Sequence, residues 1–385
     1  MTDTLASTFG APLAQIVADQ ALPDATVAAE RFPVTVNPHP ASDEEHEAHM
    51  ERLAFGEAFG DHMAVADWTL EKGWHDHRIQ PFEALQLSPA AAVLHYSQTV
   101  FEGLKAFRWD DGSVWTFRPG FNSARLTQSA ERIAVPGVEL DDFIGAIVAM
   151  VRTDEKWVPT AENSSLYLRP FIIANEPFLG VRPAHAYQFL VISSPVGPFF
   201  KGGLNPVSIY VATDFHRSAP GGTGAAKTGG NYAASLLPQQ IAAAKGFEQV
   251  CYLDAQSNTH LEELGGMNVF LATEDGRVMT PRLTGTILEG GTRGAIIQLL
   301  ADRGIEVEQR DISLEEVVTG VTNGEISEMF ACGTAALVTP IGRLGGEGFD
   351  LTLEGGEVAQ SLYEELSAIQ RGYAEDRHNW MYRLV

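Results

Sequence analysis

The sequence predicts an α+β protein in two parts, and three observations lead there. Strand-type alternation fills residues 67–117 and returns at 166–174 and 187–193. Two helix-length apolar runs, 122–134 and 141–156, lie between those strand regions. A Gly/Pro-rich stretch over 195–206 then precedes a second half in which strands and helices take turns. The organisation expected is a first domain over 1–194, a linker over 195–207 and a second domain over 208–385. With 385 residues, 45% hydrophobic and 20% charged, the chain can bury two sizeable cores.

In residues 1–50, Pro33, Pro38 and Pro40 break any periodicity and 43–49 is a polar patch, so an irregular surface arm is expected. Asp111-Gly112 marks a hairpin turn between strands at 105–109 and 113–117. The second half carries strand patterns at 207–213, 250–254, 268–273 and 278–280, with helix patterns at 232–245, 292–302 and 357–370. His46 and His49 share a helical face and His75 and His77 a strand face, but no third ligand is evident, so packed or solvated histidines are expected rather than a metal site.

The formal net charge of −24 argues against nucleic acid or an anionic membrane as partner, because both select basic surfaces. Cys251 and Cys332 are far apart in sequence and imply neither a disulfide framework nor a zinc site, which points to a reducing, cytoplasmic setting. The first twenty residues lack the basic region of a secretory signal, and no apolar run approaches the length of a membrane span.

The densest chemical signal is Gly221-Gly222-Thr223-Gly224-Ala225-Ala226-Lys227-Thr228-Gly229-Gly230-Asn231-Tyr232, a run of small residues around one amine. Glycine lets a ligand approach the backbone closely. A Walker phosphate loop is excluded, since Ala226 stands where that motif requires Gly. Taken alone, the segment fits either a solvated lysine in a flexible loop or a lysine that forms a Schiff base. Pyridoxal phosphate would also need a carboxylate at its ring nitrogen and donors at its phosphate. Glu263, beside Gly265-Gly266 at the mouth of an apolar strand, suits the first need, while strand alternation turns its neighbour Glu262 to the other face. Gly290-Gly291-Thr292 at a helix start, Thr334 in a small-residue turn and Arg125 suit the second.

These segments, with 95–108, Leu166-Tyr167-Leu168-Arg169-Pro170 and Ser194-Pro195-Val196-Gly197-Pro198-Phe199-Phe200, resemble the branched-chain amino acid aminotransferases, pyridoxal 5′-phosphate enzymes of fold type IV. The resemblance runs from about Trp68 to about Arg343. It implies a smaller α/β domain and a larger pseudo-barrel domain carrying the cofactor lysine, joined by a mobile linker, in a homodimer. It implies Lys227 as the cofactor-bearing amine and proton shuttle, Tyr232 at the phenolic oxygen and Glu263 at the ring nitrogen, with Arg125, Gly291, Thr292 and Thr334 on the phosphate. Tyr96, Arg169 and the Thr334-Ala335 turn would receive substrate carboxylates, and Phe101, Tyr167 and Phe199 would line the side-chain pocket. The substrates implied are branched-chain L-amino acids and their 2-oxo acids, with glutamate and 2-oxoglutarate as the exchange pair. Gly266, Phe199 and Gly291-Thr292 depart from some members, and Ala336 and Thr339 replace a redox Cys-x-x-Cys found in others. A D-amino acid transaminase, an aminodeoxychorismate lyase and a non-catalytic cofactor carrier share the lysine and phosphate cup, and remain open at this point.

Overall fold

The computed structural model describes residues 12–18, 20–197 and 204–385; Phe199 lies outside the described residues. Those within Met1–Phe199, Ala226–Gly229 and Ala368–Val385 form one compact unit, and those within Phe200–Ala225 and Gly230–Ser367 form the other. A single cut at the Gly/Pro-rich stretch would place Lys227 in the second unit. The structure places it in the first, because the short segment Ala226–Gly229 pairs with the strand Thr99–Phe101: Val100 bridges Thr228, and Phe101 N–H donates to the Lys227 carbonyl at 3.0 Å. Likewise the strand Met381–Arg383 returns to pair with Val114–Phe117.

The first unit is built on an antiparallel sheet of eight strands among the described residues. Its order is Met381–Arg383, Val114–Phe117, Leu104–Arg108, Ser165–Ala174, Ala186–Val196, His62–Thr69 and Gly73–Pro81, with Thr99–Phe101 also on Ser165–Ala174. The helix Leu140–Thr153 buries Phe143, Ile144, Ile147, Val148, Met150 and Val151 in the same core as Trp157, Leu166, Leu168 and Phe189. Each such side chain stabilises the fold by roughly 1.5–3 kcal/mol relative to exposure.

The arm is less irregular than its prolines suggest, since residues 43–49 lie in a helix, Asp43–Arg52. No residue of that helix is buried, so it has no apolar stripe to betray it. It is held instead by a reciprocal cap, in which Glu45 N–H donates to Ser42 Oγ and Ser42 N–H to Glu45 Oε2, with Asp43, Glu44 and Glu45 in the first turn. His46 packs edge-on to the Trp157 ring at 5.0 Å, and His49 meets the same ring at a tilt, 6.0 Å between centres. His77 contacts Phe32 and Asp142.

Among the described residues of the second unit nine strands form one sheet, in the order Leu261–Leu264, Gln249–Leu253, Val207–Ala212, Leu337–Gly346, Ile326–Gly333, Asn268–Thr273, Val278–Pro281 and Val307–Arg310, with Phe349–Thr352 on Leu337–Gly346. Val207–Ala212 runs parallel to both of its neighbours, as does Val278–Pro281 to Val307–Arg310. The helix Leu314–Asn323 and the strand Ile326–Gly333 carry no signal that the sequence patterns above had picked out. In that strand Glu328 is buried because it works as a cap: it accepts the Val358 and Ala359 N–H groups at 3.0 and 2.6 Å, at the start of the helix Glu357–Gln370. Cys251 and Cys332 are both free and buried.

One pair ties the helix Pro119–Arg132 to the sheet of the first unit. Glu102 is fully buried, and its two oxygens accept Arg125 Nε at 2.7 Å and Nη2 at 2.8 Å. Asn122, one turn earlier on the same helix face, adds a bond to Oε2 at 2.7 Å. Burial pushes Glu102 up, but the charge and hydrogen bonds of Arg125, with Lys227 and Asn122 adding, leave its carboxyl below the usual range.

Removing one member of a buried pair strands the other, at about 3–5 kcal/mol. Glu102→Gln should therefore lose stability of that order in urea unfolding at neutral pH. Because the folded-state pKa is depressed, the pair's contribution is present above about pH 4.3 and is lost as pH falls through the lower folded value. The gap between native and Glu102→Gln protein should accordingly narrow in acid; a gap that is constant with pH would show that the charge of Glu102 is not what stabilises the helix.

Candidate active site

In the first unit, Lys227 is positioned through its backbone. Its carbonyl accepts from Phe101, and its N–H donates to Ser129 Oγ at 2.9 Å, on the helix face that also carries Asn122 and Arg125. Thr228 Oγ1 donates to the Thr99 carbonyl at 2.8 Å. The Lys227 amine then lies 4.7 Å from the centre of the Phe101 ring.

Arg169 meets the same ring, its Cζ 4.9 Å from the centre, and donates from Nη2 to Tyr167 Oη at 2.9 Å. Its Nε is buried and has no hydrogen-bond partner. Such a donor awaits an anion or a carbonyl. Tyr167 reaches this position because residue 103 is glycine: a Cβ there would overlap the tyrosine hydroxyl. Four of the predicted residues, Lys227, Phe101, Tyr167 and Arg169, are thus brought together, and Arg125 stands behind them on Glu102. Any phosphate contact of Arg125 uses the guanidinium hydrogens that point away from that acid.

Tyr96 differs in its bonding. The left-handed backbone of Ser97, φ 49°, ends the short helix Ala92–Tyr96 and turns the chain before Thr99–Phe101. Tyr96 is exposed, and its hydroxyl donates to the Leu179 carbonyl.

In the second unit, Glu263 is buried and held from three sides. Arg217 Nη1 lies 2.9 Å from Oε1, Leu288 N–H donates to Oε1 at 2.7 Å, and Asn268 Nδ2 donates to Oε2 at 3.2 Å. Asn268 also donates to the Leu288 carbonyl at 3.0 Å. Its Oδ1 sits where a Cβ on Gly290 would stand, and its backbone pairs with Cys332. Through this one side chain Glu263 is tied to the start of the helix Gly291–Asp302 and to the strand end that leads into Thr334-Ala335. No side chain caps that helix start, whose first-turn N–H groups have no partner inside the helix by geometry, and Thr292 beside it is buried. Tyr232 lies half-buried in the first turn of the helix Gly229–Ala244.

Glu262 is buried too and accepts a hydrogen bond from the Thr286 hydroxyl. Sequence reasoning passed over Glu102 in the first unit and Arg217 and Asn268 in the second. For Glu102 a signal existed, since an acid beside a glycine in an apolar segment is the argument that picked out Glu263. Arg217 had none, because its partners lie up to 69 positions away.

The donor set fits pyridoxal phosphate. A half-buried amine, a buried carboxylate, an uncapped helix start with threonine hydroxyls nearby and an arginine are the groups that its aldehyde, ring nitrogen and phosphate require.

Comparison with known proteins agrees. Residues 99–344 match the family model for amino-transferase class IV. The chain is 47% identical over 360 residues to the branched-chain-amino-acid aminotransferase of Mycolicibacterium smegmatis, covering 92% of this chain and 98% of that one. It is 51% identical over 351 residues to a probable branched-chain-amino-acid aminotransferase of Streptomyces coelicolor, covering 90% and 97%. Among solved structures, the Escherichia coli branched-chain amino acid aminotransferase superposes with a TM-score of 0.71 at 27% identity, over 85% of this chain and all of that one. Class IV aminotransferases depend on pyridoxal phosphate. With the lysine, the acid and the helix start all supplied, the chain belongs to the class IV aminotransferase family.

Proposed function

We infer that this protein is a branched-chain L-amino acid aminotransferase, which moves the amino group of Leu, Ile or Val reversibly to 2-oxoglutarate and yields the branched-chain 2-oxo acid and glutamate in a ping-pong exchange. The observation that carries the reading is the Lys227 amine and the Arg169 guanidinium against one aromatic ring, with a buried Arg169 N–H lacking an acceptor. A non-catalytic cofactor carrier has no need of that substrate-type cation, and the named relatives favour this activity over a D-amino acid transaminase or a lyase.

Lys227 would hold the cofactor's aldehyde carbon, Glu263 its ring nitrogen and Tyr232 its phenolic oxygen. Arg125, the backbone of Gly291, Thr292 and Thr334 would hold its phosphate. When bound, the cofactor supplies an aldehyde that condenses with amines and a ring that accepts the electron pair of the Cα–H bond. Lys227 would take up the Cα proton and deliver it to the cofactor's aldehyde carbon, and Phe101 shields its amine from water on one side. Arg217 neutralises the charge that Glu263 brings into the interior. Arg169, with Tyr96 and the Thr334-Ala335 turn, receives substrate carboxylates, so that one site accepts a branched side chain and a γ-carboxylate in alternation. Phe101 and Tyr167 pack the aliphatic chain, and Phe199 is proposed as a further wall.

A homodimer is part of the same reading. Leu94, Tyr96, Phe178, Leu179 and Val181 are exposed, Val181 at 85%, and the Tyr96–Leu179 bond joins the two segments that carry them. Among the described residues no helix is long and apolar enough to cross a membrane. A cytoplasmic setting accords with two buried free thiols.

Three outcomes are expected. Lys227→Ala protein should fold but lose turnover and the visible absorption of the lysine-bound cofactor; borohydride reduction and peptide mapping should label Lys227, and a label on Lys201 or Lys245 would reject the assignment. Burying a Leu or Ile side chain is worth roughly 1.5–3 kcal/mol, so Leu, Ile and Val should exceed Asp and Ala as donors by at least about tenfold in kcat/KM. Preference for D-alanine in the same panel would return the D-amino acid reading. In sedimentation equilibrium the native protein should be a dimer and Leu179→Glu/Val181→Glu a monomer; a monomeric native protein removes the dimer from the proposal.

A further inference from the structure

Glu262 and Glu263 are adjacent acids, both buried, on one four-residue strand, Leu261–Leu264. An ionised carboxyl in such a place needs a matched cation or several donors. The Arg217 guanidinium lies beside the pair, and its contacts are uneven. Arg217 Nη1 is 2.9 Å from Glu263 Oε1, 2.9 Å from the Thr286 carbonyl and 3.0 Å from the Gly224 carbonyl. Arg217 Nε is buried and has no acceptor, yet Glu262 has not been drawn onto it. Glu262 Oε1 accepts from Thr286 Oγ1 instead, and Oε2 is buried with no partner. An anionic oxygen left bare in the interior is far costlier than a bare neutral hydroxyl.

The surroundings agree. Burial is the largest influence on the Glu262 carboxyl and pushes it above its usual range; Asp254 adds, while the Thr286 bond, Arg217 and His216 act against it. Cys251, on the neighbouring strand, is a thiol pushed up to about 12 and adds no charge. Thr286 Oγ1 is in contact with both Glu262 Oε1 and, at 2.6 Å, Thr284 Oγ1, where either hydroxyl can donate, so a proton leaving Oε1 passes from Thr286 to Thr284. Thr284 is exposed and Thr286 buried. Two hydroxyls therefore lead from solvent to the acid.

We propose that Glu262 is a positioning residue that carries a proton, leaves Arg217 to Glu263 by remaining neutral, and exchanges that proton with water through Thr286 and Thr284. An ionised Glu262 would compete for the guanidinium and pull it from Glu263 and from the two loop carbonyls. The inference rests on the reading of Glu263 as the acid that meets the cofactor's ring nitrogen.

Infrared difference spectra of native holoenzyme against Glu262→Gln at neutral pH read this proton directly. The expected difference is the loss of one carboxylic-acid C=O band with no carboxylate band lost. Loss of a carboxylate band, or no acid band, overturns the proposal. Thr286→Val keeps the acid but removes its hydrogen bond, so the band should move to higher frequency and exchange more slowly in deuterium oxide; an unmoved band also overturns it. Glutamine mimics the protonated acid, so Glu262→Gln should keep the pH profile of the cofactor's visible absorption and hold the leucine half-reaction within a factor of about three, below the about tenfold that one pKa unit of displaced charge carries. A profile shifted by a full unit counts against the positioning role. If the acid band is lost as expected while leucine proves not to be a donor, the functional reading fails and the protonated Glu262 stands.

Discussion

Glu102 has no surface of its own, and the arrangement of the first unit depends on how its charge is met. The fork of Arg125 holds both oxygens, so the segment bearing Phe101 and the helix bearing Asn122, Arg125 and Ser129 keep one register. Lys227 hangs between these two elements by one backbone bond to each. An amine on a small-residue segment would sample many positions, and two backbone bonds limit it to the few that lie over the Phe101 ring. Because a half-broken pair leaves a bare interior charge, the register behaves as all-or-none rather than adjustable.

The second unit solves a related problem around Glu263. Arg217 joins Glu263 to the carbonyls of Gly224 and Thr286, which lie on two separate loops. Gly224 is required for this approach, since a Cβ would enter the Thr286 backbone. Asn268 then extends the network to the helix start and the Thr334-Ala335 turn. The chain carries a net charge of −24, and within it Arg125 and Arg217 are each matched to a buried acid, while Arg169 keeps a buried Nε–H with no acceptor.

Small residues serve close approach at several of these points. Gly103 lets Tyr167 lie across the strand and meet Arg169, and Gly290 admits the Asn268 amide. In each case a polar side-chain atom of a neighbour occupies the place of the missing Cβ.

Much was legible in the residues themselves. The α+β class, most strands of both units, the lysine in its glycine run, the acid beside Gly265-Gly266 and the helix start at Gly290 all follow from local pattern, because periodicity, turns and helix termini act over a few residues. The helix Asp43–Arg52 escaped that reading, since it is held by caps and charge rather than by an apolar face. What local pattern cannot contain is pairing at a distance. Arg217 reaches Glu263 across 46 positions and Glu102 reaches Arg125 across 23. Lys227 joined the first unit rather than the second because a strand edge more than a hundred residues earlier in the chain offered it hydrogen bonds. The residue types alone determined which groups are present; the cost of leaving a buried charge or a strand edge unpaired decided which of them meet.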